Sequence, residues 1–427
     1  MPAPELLCPA GSLKHLEYAF AYGADAVYAG LPRYSLRVRN NSFTPENIQQ
    51  GIDRAHQLGK KFYLVANIQP HNTKVDTFIR DMAPLIAMGP DALIMSDPGL
   101  IMLVRSHFPN MAIHLSVQAN AINYASVDFW ARQGIARVIL SRELSLEEIA
   151  TIRERCPGTE LEVFVHGALC MAFSGRCLLS GYINKRDPNQ GACTNACRWQ
   201  YQASAACEDQ NGDVVSREPQ IMVVTEQSRP DQPMAAEEDE HGSYIFNSKD
   251  LRAVEHVPAL VAMGVHSLKI EGRTKSHYYV ARTAQIYRQA IDDAVAGKPF
   301  DEGYLQQLEH LANRGYTEGF LRRHGPASLQ NYQSGKPASP HQFVGEVLGE
   351  QQQDGSIDIT VKNRFALGDS LLLVTPKGNY PLHLKALFDK KGQPITVAPG
   401  DGHQVKVVLP QAIDCRLGLL VRQGDAP

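Results

Sequence analysis

Short apolar runs alternate with longer stretches of helical periodicity, and the alternation occurs eight times before residue 271. The runs are Glu5 to Leu7, Asp25 to Ala29, Lys61 to Val65, Asp91 to Met95, Ile113 to Val117, Arg137 to Leu140, Leu161 to Val165 and His266 to Ile270. Their near-continuous apolar character is that of strands covered on both faces, as in a parallel sheet. Between them lie helix starts, among them Thr44-Pro45 ahead of Glu46 and the capping box Ser145-Leu-Glu-Glu148. Eight strand–helix units, with no G-x-G-x-x-G turn after the first strand, favour a closed (β/α)8 barrel of the TIM type over an open doubly wound sheet. The expected fold class is therefore α/β, with the barrel spanning residues 1–325.

The pattern breaks twice. An insertion at residues 167–243 separates the seventh and eighth strands and is too long for an ordinary connection. Its second half, from Gln227 to Asp239, is rich in Asp, Glu, Pro and Ala and reads as mobile. Residues 326–342 are rich in Pro, Ser, Gln and Gly and read as a linker. Beyond it, alternating runs such as Ile357 to Val361, Ser370 to Val374 and Val405 to Leu409 predict a small β-barrel domain over residues 343–427.

Composition narrows the class. Hydrophobic residues make up 44% and charged residues 20% of the 427, enough to bury a large core. The N-terminus lacks the basic region of a secretory signal, and no apolar run reaches membrane-spanning length, so a cytoplasmic protein with no membrane partner is expected. A net charge of -3 gives no global basic signature, so contact with nucleic acid must come from local patches.

The eight cysteines are unevenly spread. Cys170, Cys177, Cys193 and Cys197 follow the spacing C-x6-C-x15-C-x3-C, whereas Cys8, Cys156, Cys207 and Cys415 are scattered and read as buried structural residues. Four clustered thiols suit an iron–sulfur cluster or a tetrahedral zinc, and the spacing leaves both open. Nearby Gly167, Gly175, Gly181 and Gly191 allow close backbone approach, and Arg176 and Arg198 offset thiolate charge.

In a barrel, residues just past each strand gather at one face. Here these are Asn67, Asp97, Ser116, Gln118, Arg142, Glu143, His166, Lys269, Glu271 and Arg273. Three segments are informative beyond their chemistry: ELLCPAG from Glu5, EVFVHGALCMAFSGRCLLS from Glu162 and GYINKRDPNQGACTNACR from Gly181. Together they resemble peptidase family U32. YAFAYGADAVYAG, HLSVQAN, GVHSLKIEGRTKS and RGYTEGFLRRH are similar to the members of that family that act in tRNA hydroxylation.

The resemblance implies a barrel that forms 5-hydroxyuridine at the wobble position of tRNA without molecular oxygen, with prephenate as co-substrate. It also implies a [4Fe-4S] cluster on the four clustered cysteines. Prephenate carries two carboxylates, for which Arg142, Lys269 and Arg273 are the candidate partners. His166 and Glu271 are candidates for acid–base work. Arg37 and Arg39 beside Tyr34, and Lys185 and Arg186 ahead of Trp199 and Tyr201, are candidate RNA contacts. The alternatives are a hydroxylase of ribosomal RNA or of a quinone precursor and a metal-stabilised RNA-binding factor; proteolysis is less favoured, since there is neither an H-E-x-x-H nor a G-x-S-x-G motif and four cysteines would close a metal site to hydrolytic water.

Overall fold

A computed structural model describes residues 2–36, 42–169, 249–313, 315–322 and 341–424, together with the backbone of five short strands between 205 and 244. Seven parallel strands follow one another: β1 (Glu5–Pro9), β2 (Ala26–Ala29), β3 (Lys61–Ala66), β4 (Ala92–Met95), β5 (Ile113–Leu115), β6 (Arg137–Ile139) and β7 (Glu160–Ala168). Helices α1 (Leu13–Ala21), α2 (Pro45–Gln57), α3 (Asn72–Ala87), α4 (Pro98–His107), α5 (Tyr124–Arg132) and α6 (Leu146–Arg155) connect them. The predicted starts are in place: Thr44 caps α2 with Pro45 following, and Ser145 and Glu148 form the reciprocal capping box of α6.

The insertion follows β7. It contains β8 (Ala205–Glu208) paired with β9 (Val214–Arg217), and β10 (Met222–Val224), β11 (Met234–Asp239) and β12 (Gly242–Tyr244) in a three-stranded antiparallel sheet. Met234–Asp239, at the end of the stretch expected to be mobile, is the middle strand of this sheet. Acidic side chains do not prevent the Met234–Asp239 backbone from bonding to strands on either side. The chain returns through β13 (Asp250–Arg252), which runs antiparallel to the end of β7, with Asp250 opposite Ala168 and Leu251 opposite Gly167. The insertion therefore leaves and re-enters at one edge of the barrel.

After α7 (Val257–Ala262), β14 (Ser267–Ile270) pairs in parallel with both β7 and β1 and closes the eight-stranded ring. All eight strands expected from the sequence are present. Helices α8 (His277–Val295) and α9 (Gly303–Glu309) follow, and β15 (Tyr316–Thr317) adds to β13.

The C-terminal unit has its own core, built on Val344, Ile357, Ile359, Phe365, Leu373, Val405 and Val407. Its principal strands are β16 (His341–Leu348), β17 (Ser356–Val361), β19 (Ser370–Thr375), β20 (Gly378–His383), β21 (Leu387–Asp389), β23 (Gln404–Val408) and β24 (Leu419–Gln423). They form a seven-stranded antiparallel sheet, beside which β18 (Phe365–Ala366) pairs with β22 (Val397–Ala398). None of the described helices is long and apolar enough to cross a membrane.

Candidate active site at the barrel mouth

The barrel interior is layered. At its N-terminal end, Arg137 on β6 reaches Glu5 on β1 at 2.6 Å, Glu160 at 2.8 Å and Glu162 on β7 at 3.3 Å, and Tyr63 donates to Glu5 at 2.7 Å. One layer higher, Lys269 on β14 donates to Glu162 at 2.8 Å. Burial pushes the Glu162 carboxyl up, but Lys269 and Arg137 outweigh it and hold the group below its ordinary value. These ionised groups compensate one another away from water.

Above them lies an aromatic layer. The Lys269 ammonium sits 4.4 Å from the ring centre of Tyr28 and 5.4 Å from that of Phe164. The Arg142 guanidinium stacks on Phe164 at 3.8 Å, and that of Arg273 lies 5.6 Å from the Tyr28 ring centre. Arg142 is also 3.8 Å from Glu271, which accepts from the Tyr28 hydroxyl at 3.3 Å. Burial, and then the charge of Glu271, push the Tyr28 phenol well above its ordinary value, so it stays protonated and donates. Arg273 donates to Ser35 Oγ at 2.8 Å and to the Leu36 carbonyl, which fixes the loop after β2 over the mouth.

Arg142, Arg273 and Glu271 thus converge at the mouth as their places at strand ends imply. Lys269 faces the same two rings, Tyr28 and Phe164, from the layer below, and its ammonium is paired with Glu162. His166 is placed among aromatic rings. Its ring packs against Tyr279 and Tyr287 of α8 and against Tyr316, on the side of β7 away from Arg142. Tyr287 donates its proton to the Val165 carbonyl at 2.7 Å and lies 3.3 Å from His166 Nδ1, so the geometry places the ring proton on Nδ1. Burial, followed by Lys275 and Arg252, pulls the imidazole down to about 3. The neutral ring is clasped among tyrosines at the end of β7, and its Nε2 is buried without a hydrogen-bond partner among the described residues.

Other strand-end residues have structural duties. Asp97 caps α4 by accepting from Leu100 N at 2.8 Å, and Asn67 bridges Leu36 N and Ser116 Oγ. Two polar atoms after β6 differ from these. Ser141 Oγ and Glu143 Oε2 are buried and have no hydrogen-bond partner among the described residues. Native proteins leave few such atoms, and at a barrel mouth they are positioned for a polar ligand. Ser141, Tyr28 and Phe164 were not singled out in the sequence. Their one signal was position at or near strand ends, which many structural residues share.

The clustered Cys170, Cys177, Cys193 and Cys197, and the basic Arg37, Arg39, Lys185 and Arg186, lie outside the described residues. The approach to the cysteines is described. Gly167 has φ +110°, and a Cβ there would lie 2.3 Å from the Glu271 carbonyl oxygen. Only glycine permits β7 and the end of β14 to come this close. Leu169, two positions past this contact, is the last described residue before Cys170. Cys8, Cys156 and Cys415 are buried free thiols, as expected.

These observations define the class: a closed (β/α)8 barrel with an ionic interior, a cation-rich mouth and an insertion rooted at that mouth. Residues 11–331 match peptidase family U32, and residues 339–422 match the peptidase family U32 C-terminal domain, so the chain belongs to that family. It is 61% identical to tRNA hydroxylation protein P of Escherichia coli over 98% of this chain and 96% of that protein. To tRNA hydroxylation protein P of Haemophilus influenzae it is 59% identical over the same shares of the two chains. It is 30% identical to the 23S rRNA 5-hydroxycytidine C2501 synthase of E. coli over 86% of this chain and 52% of that protein.

Proposed function

We propose that this protein is a tRNA hydroxylase that forms 5-hydroxyuridine at the wobble position, independently of oxygen, with prephenate as co-substrate. The observation that carries the reading is the 61% identity to tRNA hydroxylation protein P across nearly the whole of both chains. The activity belongs to the cytoplasm, where tRNA and prephenate are both available.

Cys170, Cys177, Cys193 and Cys197 would hold a [4Fe-4S] cluster, for which four thiolates are a fitting donor set. When bound it would supply redox or Lewis-acid chemistry near the mouth. The chain's own residues do the rest. Arg142, held flat by Phe164, and Arg273, anchored through Ser35, offer guanidinium forks to a dicarboxylate. Glu271 orients Arg142 and accepts from Tyr28, and it is the one carboxylate of the candidate set positioned to take a proton beside the bound base. Arg37, Arg39, Lys185 and Arg186 are proposed to steer the RNA phosphates.

Nucleoside mass spectrometry of tRNA from cells grown without oxygen tests the reading. Deleting the gene should remove 5-hydroxyuridine and its derivatives, and the intact gene but not Cys170→Ala should restore them. Unchanged tRNA with loss of a hydroxylated nucleoside from ribosomal RNA would instead favour the activity named for the more distant E. coli relative.

A further inference from the structure

The C-terminal domain is seated on the barrel through α1 and α8. The Tyr22 hydroxyl lies 3.0 Å from the Val374 carbonyl and 2.9 Å from that of Leu417. Gln285 Nε2 donates to the Thr375 carbonyl at 3.0 Å, and Tyr278 stacks on Phe343 with ring planes 4° apart. Glu346 adds an ion pair with Lys14, and His277 Nε2 lies 2.8 Å from it. Within this seam is a cavity of about 320 Å³, with Arg282, Gln307, His310, His341, Asn379 and Gln423 among its lining.

Arg282 is the unusual member. It is 5% exposed, and its guanidinium donates to two neutral amide oxygens, those of Gln285 and of Gln307, the latter at 3.3 Å. No carboxylate among the described residues forms an ion pair with it. A guanidinium has five N–H donors, and removing its charge from water without a counter-charge is costly. His310 and His341 face each other with ring centres 3.7 Å apart. Burial, then His310 and Arg282, lower His341 to about 4, so this ring lines the cavity in its neutral form.

We infer that the seam between barrel and C-terminal domain is a binding site for a compact oxyanion, with Arg282 as its charged anchor and His310, His341 and Gln307 beside it. The ligand class is a phosphate group or a short carboxylate. Bound, it supplies the counter-charge Arg282 lacks and ties α8 to β16 and β24, so occupancy strengthens the docking of the C-terminal domain. The inference does not depend on the hydroxylase reading, since none of these residues belongs to the mouth.

The test is calorimetric titration of the full-length protein with inorganic phosphate and, separately, malonate, at constant ionic strength, alongside NMR of the histidine ring protons. Saturable uptake of either ion with shifts at His310 and His341 is expected, and which ion binds tells a phosphate site from a carboxylate site. Arg282→Gln should weaken binding about tenfold or more. Gln307→Glu guards against a folding defect: it replaces a neutral partner of Arg282 with a built-in counter-ion, so it should block uptake by a similar factor and raise the melting temperature of the anion-free protein. Failure of the wild type to take up either ion, or equal affinity in wild type and both variants, would overturn the site.

Discussion

The lower barrel and the barrel mouth both bury charge, but they complete it differently. Below, Arg137 and Lys269 each meet a carboxylate, and Glu162 accepts from both. At the mouth, a guanidinium is stacked on an aromatic ring, its carboxylate partner is 3.8 Å away, and Ser141 Oγ and Glu143 Oε2 have no partner among the described residues. A compensated network holds strands together, because removing any one charge strands another in a low dielectric. An incompletely paired set retains capacity for a ligand. The difference separates the framework ions from those proposed to meet the substrate, although both come from the same barrel.

Glu162→Gln is the severest way to break the comparison. It removes the charge that Lys269 and Arg137 share and should cost about 3–5 kcal/mol of stability, read by denaturant unfolding. Arg142→Ala should show the opposite profile. Stability should fall much less than for Glu162→Gln, while hydroxylation should drop by roughly tenfold to 150-fold as a charged hydrogen-bonding partner of about 1.5–3 kcal/mol is lost. Nucleoside quantification beside a melting curve for each variant checks this crossing of effects.

Much of this organisation was legible in the sequence. The eight strands could be read because each is an apolar run, and Ser145 with Glu148 announced a helix start that the structure realises. The strand ends identified Arg142, Arg273 and Glu271 as neighbours. What could not be read were pairings between distant positions inside the ring. Nothing local to Lys269 says that Glu162, on a strand 107 positions away, will occupy its ammonium. Nor does the sequence around His166 disclose three tyrosines from later elements. The orphaned Ser141 is invisible for the same reason, since an unmet hydrogen bond is a property of the folded surroundings. The docking of the C-terminal domain, through Tyr22, Gln285 and Glu346, likewise arises only when the two units are placed together.

Two smaller tests sharpen the picture. Gly167→Ala should destabilise by roughly 1–3 kcal/mol, because the added Cβ meets the Glu271 carbonyl in a backbone conformation that L-residues avoid. Activity should fall further than stability alone explains, since the displaced Glu271 is paired with Arg142. A further test concerns acid. Burial raises the Glu346 carboxyl, but His277 and Lys14 outweigh it and hold it at about 2, below its ordinary 4.5. A depressed carboxyl contributes stability above its unfolded value and loses it as pH falls through the folded one. The stability advantage of wild type over Glu346→Gln should therefore be full at neutral pH and decline between about pH 4.5 and 2.

The most direct test of the mouth as the working site uses protein purified without oxygen, unmodified tRNA and a titration of prephenate, comparing wild type with Arg142→Ala and Arg142→Lys. The account predicts that both variants bind tRNA as the wild type does but need much more prephenate to form 5-hydroxyuridine, with Lys recovering part of the loss. Equal prephenate dependence in all three proteins would contradict it.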